Sequence, residues 1–232
     1  MIAKKRSVLL LTAVALASCS APHPTPSAAL PSGAPSGSPA ALPDDRPTVV
    51  FLGTSLTAGL GLDPDDAYPA LIQKKIDAAG LKFRVVNAGV SGETSAGALR
   101  RVDWILREPA AVLVVETGAN DGLRGQDPES SRANIQAILD RARRQSPPPK
   151  VVLAGMEALP NYGAGYADRF RAIFPELARR NDAALIPFLL EGVAGVRSLN
   201  QADGIHPTAA GHARIAETVW KALKPLLAAP TP

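Results

Sequence analysis

Val49-Val50-Phe51-Leu52-Gly53-Thr54-Ser55-Leu56-Thr57-Ala58-Gly59-Leu60-Gly61 joins an apolar run to a serine and a turn of small residues. A continuous β-branched and aromatic run closed by glycine reads as a strand buried in a parallel sheet. Ser55 then falls at the carboxyl end of that strand, the edge at which open α/β sheets bind ligands. On this stretch alone two uses of the serine stay open. It is either a nucleophile or a cap for the helix that follows, since serine is a favoured cap.

Outward from that strand the chain alternates. The strand-like runs are Thr48–Gly53, Phe83–Ala88, Ala111–Thr117, Val151–Met156 and Ala183–Pro187. Between them, Tyr68–Ala79 sets Leu71, Ile72, Lys75, Ile76 and Ala79 on one stripe, with Gly80 suited to end the helix. Thr94–Glu108 carries Leu99, Val102, Ile105 and Leu106 at helical spacing. Pro128–Gln145 opens with proline and acid and closes in Arg141, Arg143 and Arg144, charges that suit the helix dipole at both ends. Tyr166–Arg180 and Pro207–Leu227 complete the set. Five strands alternating with helices predict an α/β fold, its parallel sheet covered on both faces.

Two more strands end in turns of glycine and small polar residues: Asn87-Ala88-Gly89-Val90-Ser91-Gly92-Glu93-Thr94, and Glu116-Thr117-Gly118-Ala119-Asn120-Asp121-Gly122. Taken singly, each is a tight strand-to-helix connection. Together on the edge that carries Ser55, they bring backbone amides and one carboxamide near a serine. Acyl transfer needs such donors, because charge develops on the carbonyl oxygen in its transition state.

Asp203-Gly204-Ile205-His206-Pro207 leads into the last amphipathic run. A serine hydroxyl needs a base such as histidine to take its proton, and the histidine needs an acid to orient it. The D-x-x-H spacing lets one turn supply both, with Pro207 expected at the first helical position. His212 lies inside the final helix and reads as a surface or core-edge residue. His206 is therefore the base candidate. A metal site would need three or four ligands, more than one cysteine and two isolated domain histidines offer. A phosphate loop lacks its lysine, since Leu60 follows Gly59.

Ahead of this domain, residues 1–18 hold Lys4, Lys5 and Arg6, then the apolar run Val8–Ala17, the pattern of a secretory signal peptide. Leu16-Ala17-Ser18-Cys19 resembles a bacterial lipobox, which makes Cys19 the expected lipidated first residue of an exported, membrane-anchored lipoprotein on the periplasmic face or cell envelope. As the sole cysteine, it excludes an intramolecular disulfide. Residues 20–47 hold eight of the chain's 22 prolines among Ala, Ser and Gly, and read as an extended tether. The net charge of +4 offers no case for nucleic acid. Without the three leader cations, 22 basic residues face 21 acidic ones.

With these segments in view, the domain over residues 48–228 resembles the SGNH (GDSL-type) esterases and lipases, in the branch of bacterial arylesterases, lysophospholipases and acyl-thioesterases. The matching stretches are G-T-S-L-T-A-G-L-G, N-A-G-V-S-G-E-T-S, E-T-G-A-N-D-G-L-R-G, A-L-P-N-Y-G and D-G-I-H-P. The resemblance implies a flavodoxin-like three-layer α/β/α sandwich with five parallel strands and no cofactor or metal. It assigns Ser55 as nucleophile, His206 as base and Asp203 as orienting acid. It also assigns an oxyanion hole to the amides of Ser55 and Gly92 and the Asn120 side chain. The family usually has aspartate before the serine, where Thr54 stands here; Thr54 is polar and expected to hydrogen-bond locally.

The expected reaction is hydrolysis of a small acyl ester or thioester, lysophospholipids included, by a monomer. Asn161, Tyr162 and Phe188 are candidates for the acyl pocket. Three other readings stay open: a carbohydrate O-acetylesterase, a binding lipoprotein that lacks the chemistry, and a nucleotide-binding flavodoxin-like domain.

Overall fold

The computed structural model describes residues 44–228. The expected signal peptide, Cys19 and most of the tether lie outside them. Strand β1 (Thr48–Gly53) is buried along its whole length, as its unbroken apolar run requires. It pairs in parallel with β2 (Arg84–Gly89) on one side and β3 (Val112–Glu116) on the other. Next come β4 (Lys150–Ala154) and β5 (Ala184–Ile186), giving one parallel sheet in the order β2-β1-β3-β4-β5. The order reverses between β1 and β3. Such a switch point opens a crevice at the carboxyl ends of the strands, where ligands bind in this class of sheet.

The helices are α1 (Ser55–Ala58), α2 (Tyr68–Ala78), α3 (Ser95–Ile105), α4 (Ala119–Leu123), α5 (Pro128–Ala142), α6 (Ala164–Arg180) and α7 (Ala209–Ala228). They flank the sheet in two groups: α2 packs on α7, and α5 packs on both α3 and α6. The core between them holds Phe51 and Leu52 of β1, Leu113 and Leu153 of the neighbouring strands, and Ile72, Ile135, Phe174 and Val219 from the helices. Burying each such side chain is worth about 1.5–3 kcal/mol, and together they hold the sheet edge that carries the site.

The elements depart from their sequence expectation at the ends. Strands β3, β4 and β5 stop together because their ladder ends at Glu116, Ala154 and Ile186, one or two residues short of the apolar runs. Helices α3 and α5 stop at Ile105 and Ala142 rather than at Glu108 and Gln145. Past the end of α3 the Gln145 side chain satisfies the backbone instead: it donates to the Leu106 and Glu108 carbonyls and accepts from the Ala110 N–H. Ala79, placed on the buried stripe of α2 by its spacing, is exposed beyond the helix end. Helix α6 starts two residues early, at Ala164.

The largest correction concerns Pro207. It is not the first residue of α7 but half of an antiparallel bridge with Asn200, and α7 begins at Ala209. Gln201 N–H donates to the His206 carbonyl at 2.7 Å and Thr208 N–H to the Leu199 carbonyl at 2.9 Å. Residues 200–207 therefore form a small closed loop. Thr208 takes the capping role, its hydroxyl accepting the Gly211 N–H.

Candidate active site

Ser55 is the first residue of α1, a single turn that starts where β1 ends. Its N–H is one of the donors that a helix start leaves free. Across 151 residues of sequence, His206 Nε2 reaches Ser55 Oγ at 3.0 Å, and His206 Nδ1 lies 2.7 Å from Asp203 Oδ2. Asp203 Oδ1 also accepts the N–H groups of Ile205 and His206 at 2.9 and 3.0 Å. The ring bond from His206, helped by those two amides, holds the Asp203 carboxyl far below the usual carboxylate range. An ionised Asp203 only accepts, so Nδ1 carries the ring proton and Nε2 offers a lone pair to the serine hydroxyl.

The loop after β2 is fastened beside this group. Val90 N–H donates to the Gly53 carbonyl at 2.9 Å, two residues before Ser55. Gly92, with φ of +76°, sits in the following turn, a conformation that glycine adopts without strain. Its carbonyl accepts from the Arg124 guanidinium, while its N–H has no acceptor among the described residues. Asn120, in the first turn of α4, donates through Nδ2 to the Glu93 carbonyl at 3.0 Å. That bond uses one of two amide hydrogens. The fold thus gathers the Ser55 strand end, the Gly92 turn and the Asn120 amide at one edge.

Several supports were invisible in the sequence because each acts at long range. Arg101 pairs with Glu93 at 2.6 Å, while its guanidinium also reaches the Ala88 and Gly53 carbonyls at the ends of β2 and β1. Asp121 is fully buried and accepts from Ser95 N–H and from the hydroxyls of Ser95 and Ser131, tying α4 to α3 and α5. Glu116, the last residue of β3, is also fully buried. Burial raises its carboxyl from 4.5 to about 7, against donors from Thr54 and Thr57 that pull it down.

Two expectations need correcting. Thr54 does not bond locally: its N–H and hydroxyl both donate to Glu116, 62 residues away. An aspartate at 54 would set a second carboxylate against that one, where both ionise only with difficulty. His212 is not a surface residue. It is 1% exposed, stacks on Tyr68 and accepts the Tyr68 N–H at Nδ1, and burial lowers its imidazole from 6.5 to about 4. Among the pocket candidates, Tyr162 stands beside the end of α4, its hydroxyl donating to the Leu123 carbonyl and its ring against Tyr166. Asn161 is exposed and Phe188 half-buried.

Residues 51–214 match the profile of the GDSL-like lipase/acylhydrolase family. The chain is 44% identical over 181 residues to Esterase TesA of Pseudomonas aeruginosa, covering 78% of this chain and 89% of that protein. It is 38% identical over 182 residues to thioesterase 1/protease 1/lysophospholipase L1 of Escherichia coli, covering 78% of this chain and 85% of that one. Among solved structures, the crystal structure of TesA superposes with a TM-score of 0.74 at 44% identity, over 77% of this chain and 99% of that chain.

Proposed function

This chain belongs to the GDSL-like lipase/acylhydrolase family, and from that premise we propose that it is a serine esterase in which Ser55, His206 and Asp203 carry out acyl transfer. The observation that supports this most is the continuous hydrogen-bond line from Ser55 Oγ through the imidazole to Asp203. In the first step His206 Nε2 takes the hydroxyl proton as Ser55 Oγ bonds to the acyl carbon. The resulting oxyanion is held by the N–H groups of Ser55 and Gly92 and by the free hydrogen of the Asn120 amide. The imidazolium then gives its proton to the leaving alkoxide or thiolate, and the carbon–oxygen or carbon–sulfur bond breaks. In the second step His206 deprotonates a water that attacks the acyl-enzyme, and Ser55 leaves with the proton returned. Asp203, held ionised, keeps the imidazole in the right tautomer and stabilises its charged form.

The substrates are carboxylic esters and thioesters of short to medium acyl chains. The names of the relatives, esterase and thioesterase/lysophospholipase, favour that class and extend it to lysophospholipids. The lipobox-like Leu16–Cys19 supports a lipid anchor at Cys19 and a place on the cell envelope, with the domain acting as a monomer on a tether.

Hydrolysis of a series of p-nitrophenyl esters by the full chain, beside Ser55→Ala, tests the reading. An active parent with a folded variant that has lost nearly all of the rate supports it, and a Ser55→Ala protein that turns over ester near the parent rate sinks it.

A further inference from the structure

The helical bonds of the single turn that carries Ser55 are too few to hold it by themselves, although Leu56 is buried beneath it and the Asn87 amide donates to the Thr57 carbonyl. The turn is four residues long, and an isolated helical turn is unfavourable because nucleation fixes many dihedrals for one hydrogen bond. Its Ncap residue, Thr54, is of a favoured capping type, yet its hydroxyl makes no cap bond to the helix. That hydroxyl points down to Glu116 instead.

We propose that Glu116 is the positioning residue for the Ser55 nucleophile, its buried carboxylate gripping Thr54 and Thr57 on either side of the serine. Glu116 Oε2 accepts the Thr54 N–H at 2.7 Å, the Thr57 hydroxyl at 2.8 Å and the Thr54 hydroxyl at 3.0 Å. Oε1 shares the Thr54 hydroxyl at 3.0 Å. Three donors, two from the residue before Ser55 and one from two residues after it, thus converge on one rigid point at the end of β3. Because Thr57 donates to Glu116, its oxygen accepts from the Tyr68 hydroxyl 2.7 Å away, which locks the Thr57 rotamer from the far side. Tyr68 is itself fully buried and stacked on His212.

The clamp also explains Gly53. A Cβ there would lie 1.9 Å from Thr57 Oγ1 and 2.7 Å from Glu116 Oε2, inside the space the grip occupies. Glycine is needed here because a side chain has no room, and no unusual dihedral is involved. The sequence G-T-S-L-T is therefore a set of parts for one device: a gap, a donor pair, the nucleophile and a third donor. Glu116 touches neither the hydroxyl of Ser55 nor His206. It acts through the backbone that aims Oγ, and misplacing a reacting atom by about an ångström can lower a rate on the order of a hundredfold.

This inference rests on Ser55 being the nucleophile, and the experiment separates the two. The rate of covalent labelling by an alkyl phosphonate, with kcat and KM on one p-nitrophenyl ester, is measured for the full chain, Ser55→Ala, Glu116→Gln, Glu116→Ala and Thr57→Val. Labelling of the parent that is absent from Ser55→Ala establishes the nucleophile; labelling that survives in Ser55→Ala overturns that reading and the clamp with it. Given the first result, Glu116→Ala is expected to lose roughly a hundredfold in kcat and in labelling rate with KM within about twofold of the parent. Glu116→Gln, which keeps the shape and one acceptor oxygen, is expected to recover part of that loss, and Thr57→Val to fall in between. If Glu116→Ala does not fold, Glu116→Gln and Thr57→Val carry the decision. Folded variants that label at the parent rate, or that change KM alone, overturn the role of Glu116 and leave Ser55 standing.

Discussion

Gln201 Nε2 donates to the Leu60 carbonyl at 2.8 Å, joining the loop that carries Asp203 and His206 to the turn just after the Ser55 helix. The Leu60 N–H in turn donates to the Ser55 carbonyl at 3.1 Å. The base and the nucleophile come from opposite ends of the domain, and this side chain is a direct strap between their two backbones. It also bonds the Pro207 carbonyl, which keeps the 200–207 loop closed.

Gln201→Ala is accordingly expected to lose about ten- to a hundredfold in kcat through loosened alignment of His206 on Ser55. Its loss of stability should stay near 1–2 kcal/mol, the usual scale for such bonds. Ester kinetics beside a urea melt checks both numbers. A variant with the parent's kcat shows that the backbone loop alone aligns the imidazole.

Asp203→Asn is expected to keep the loop but present the wrong donor pattern to His206 Nδ1, favouring the tautomer that cannot take the serine proton. A loss on the order of ten-thousandfold in kcat accompanies that change in a comparable triad. Steady-state kinetics on a fast aryl ester, with folding checked by circular dichroism, is the measurement. A loss under tenfold would remove Asp203 from the triad.

Asn120→Ala removes one of the three proposed oxyanion donors and also the bond to the Glu93 carbonyl. The expected result is a fall of about a hundredfold or more in kcat with a smaller change in KM, because the donor acts on charge that develops only in the transition state. The size of the residual rate distinguishes it from Ser55→Ala, which should fall much further. Activity within a few-fold of the parent excludes Asn120 from that task.

Glu116 and His212 make opposite contributions to stability as pH changes. Burial raises the Glu116 carboxyl from 4.5 to about 7, so its contribution is fully present below 4.5 and lost as pH climbs to 7. Burial lowers the His212 imidazole from 6.5 to about 4, although Asp66 acts against the shift. Its contribution is present above 6.5 and lost as pH falls to 4. Between 4.5 and 6.5 the two slopes, each about 1.4 kcal/mol per pH unit at most, oppose one another. Glu116→Gln should therefore become more stable with rising pH over that interval, where the parent changes little. Urea unfolding across the interval reads the difference. A variant whose profile stays as flat as the parent's would mean that Glu116 does not titrate there.

The local stretches of this chain carried a good deal of its structure. The apolar run Val49–Leu52 closed by Gly53 announced the buried central strand, and its alternation with helical stripes gave five parallel strands. Ser55, Asp203 and His206 were marked out by residue type and spacing, and the fold brings them within hydrogen-bond distance. Such features are legible because period, turn residues and a D-x-x-H spacing act between near neighbours. What the tertiary structure alone decided acts across the chain. Pro207 looked like a helix start until its pairing with Asn200 showed a closed loop. His212 looked peripheral until Tyr68 covered it. Thr54 looked like a residue that bonds locally, yet its hydroxyl serves Glu116 on the neighbouring strand β3. A buried carboxylate must find donors wherever the fold supplies them, and those donors stand 59 and 62 residues away in sequence. Linear pattern shows which side chains prefer the interior or a turn, but only the packed sheet determines which polar groups meet there.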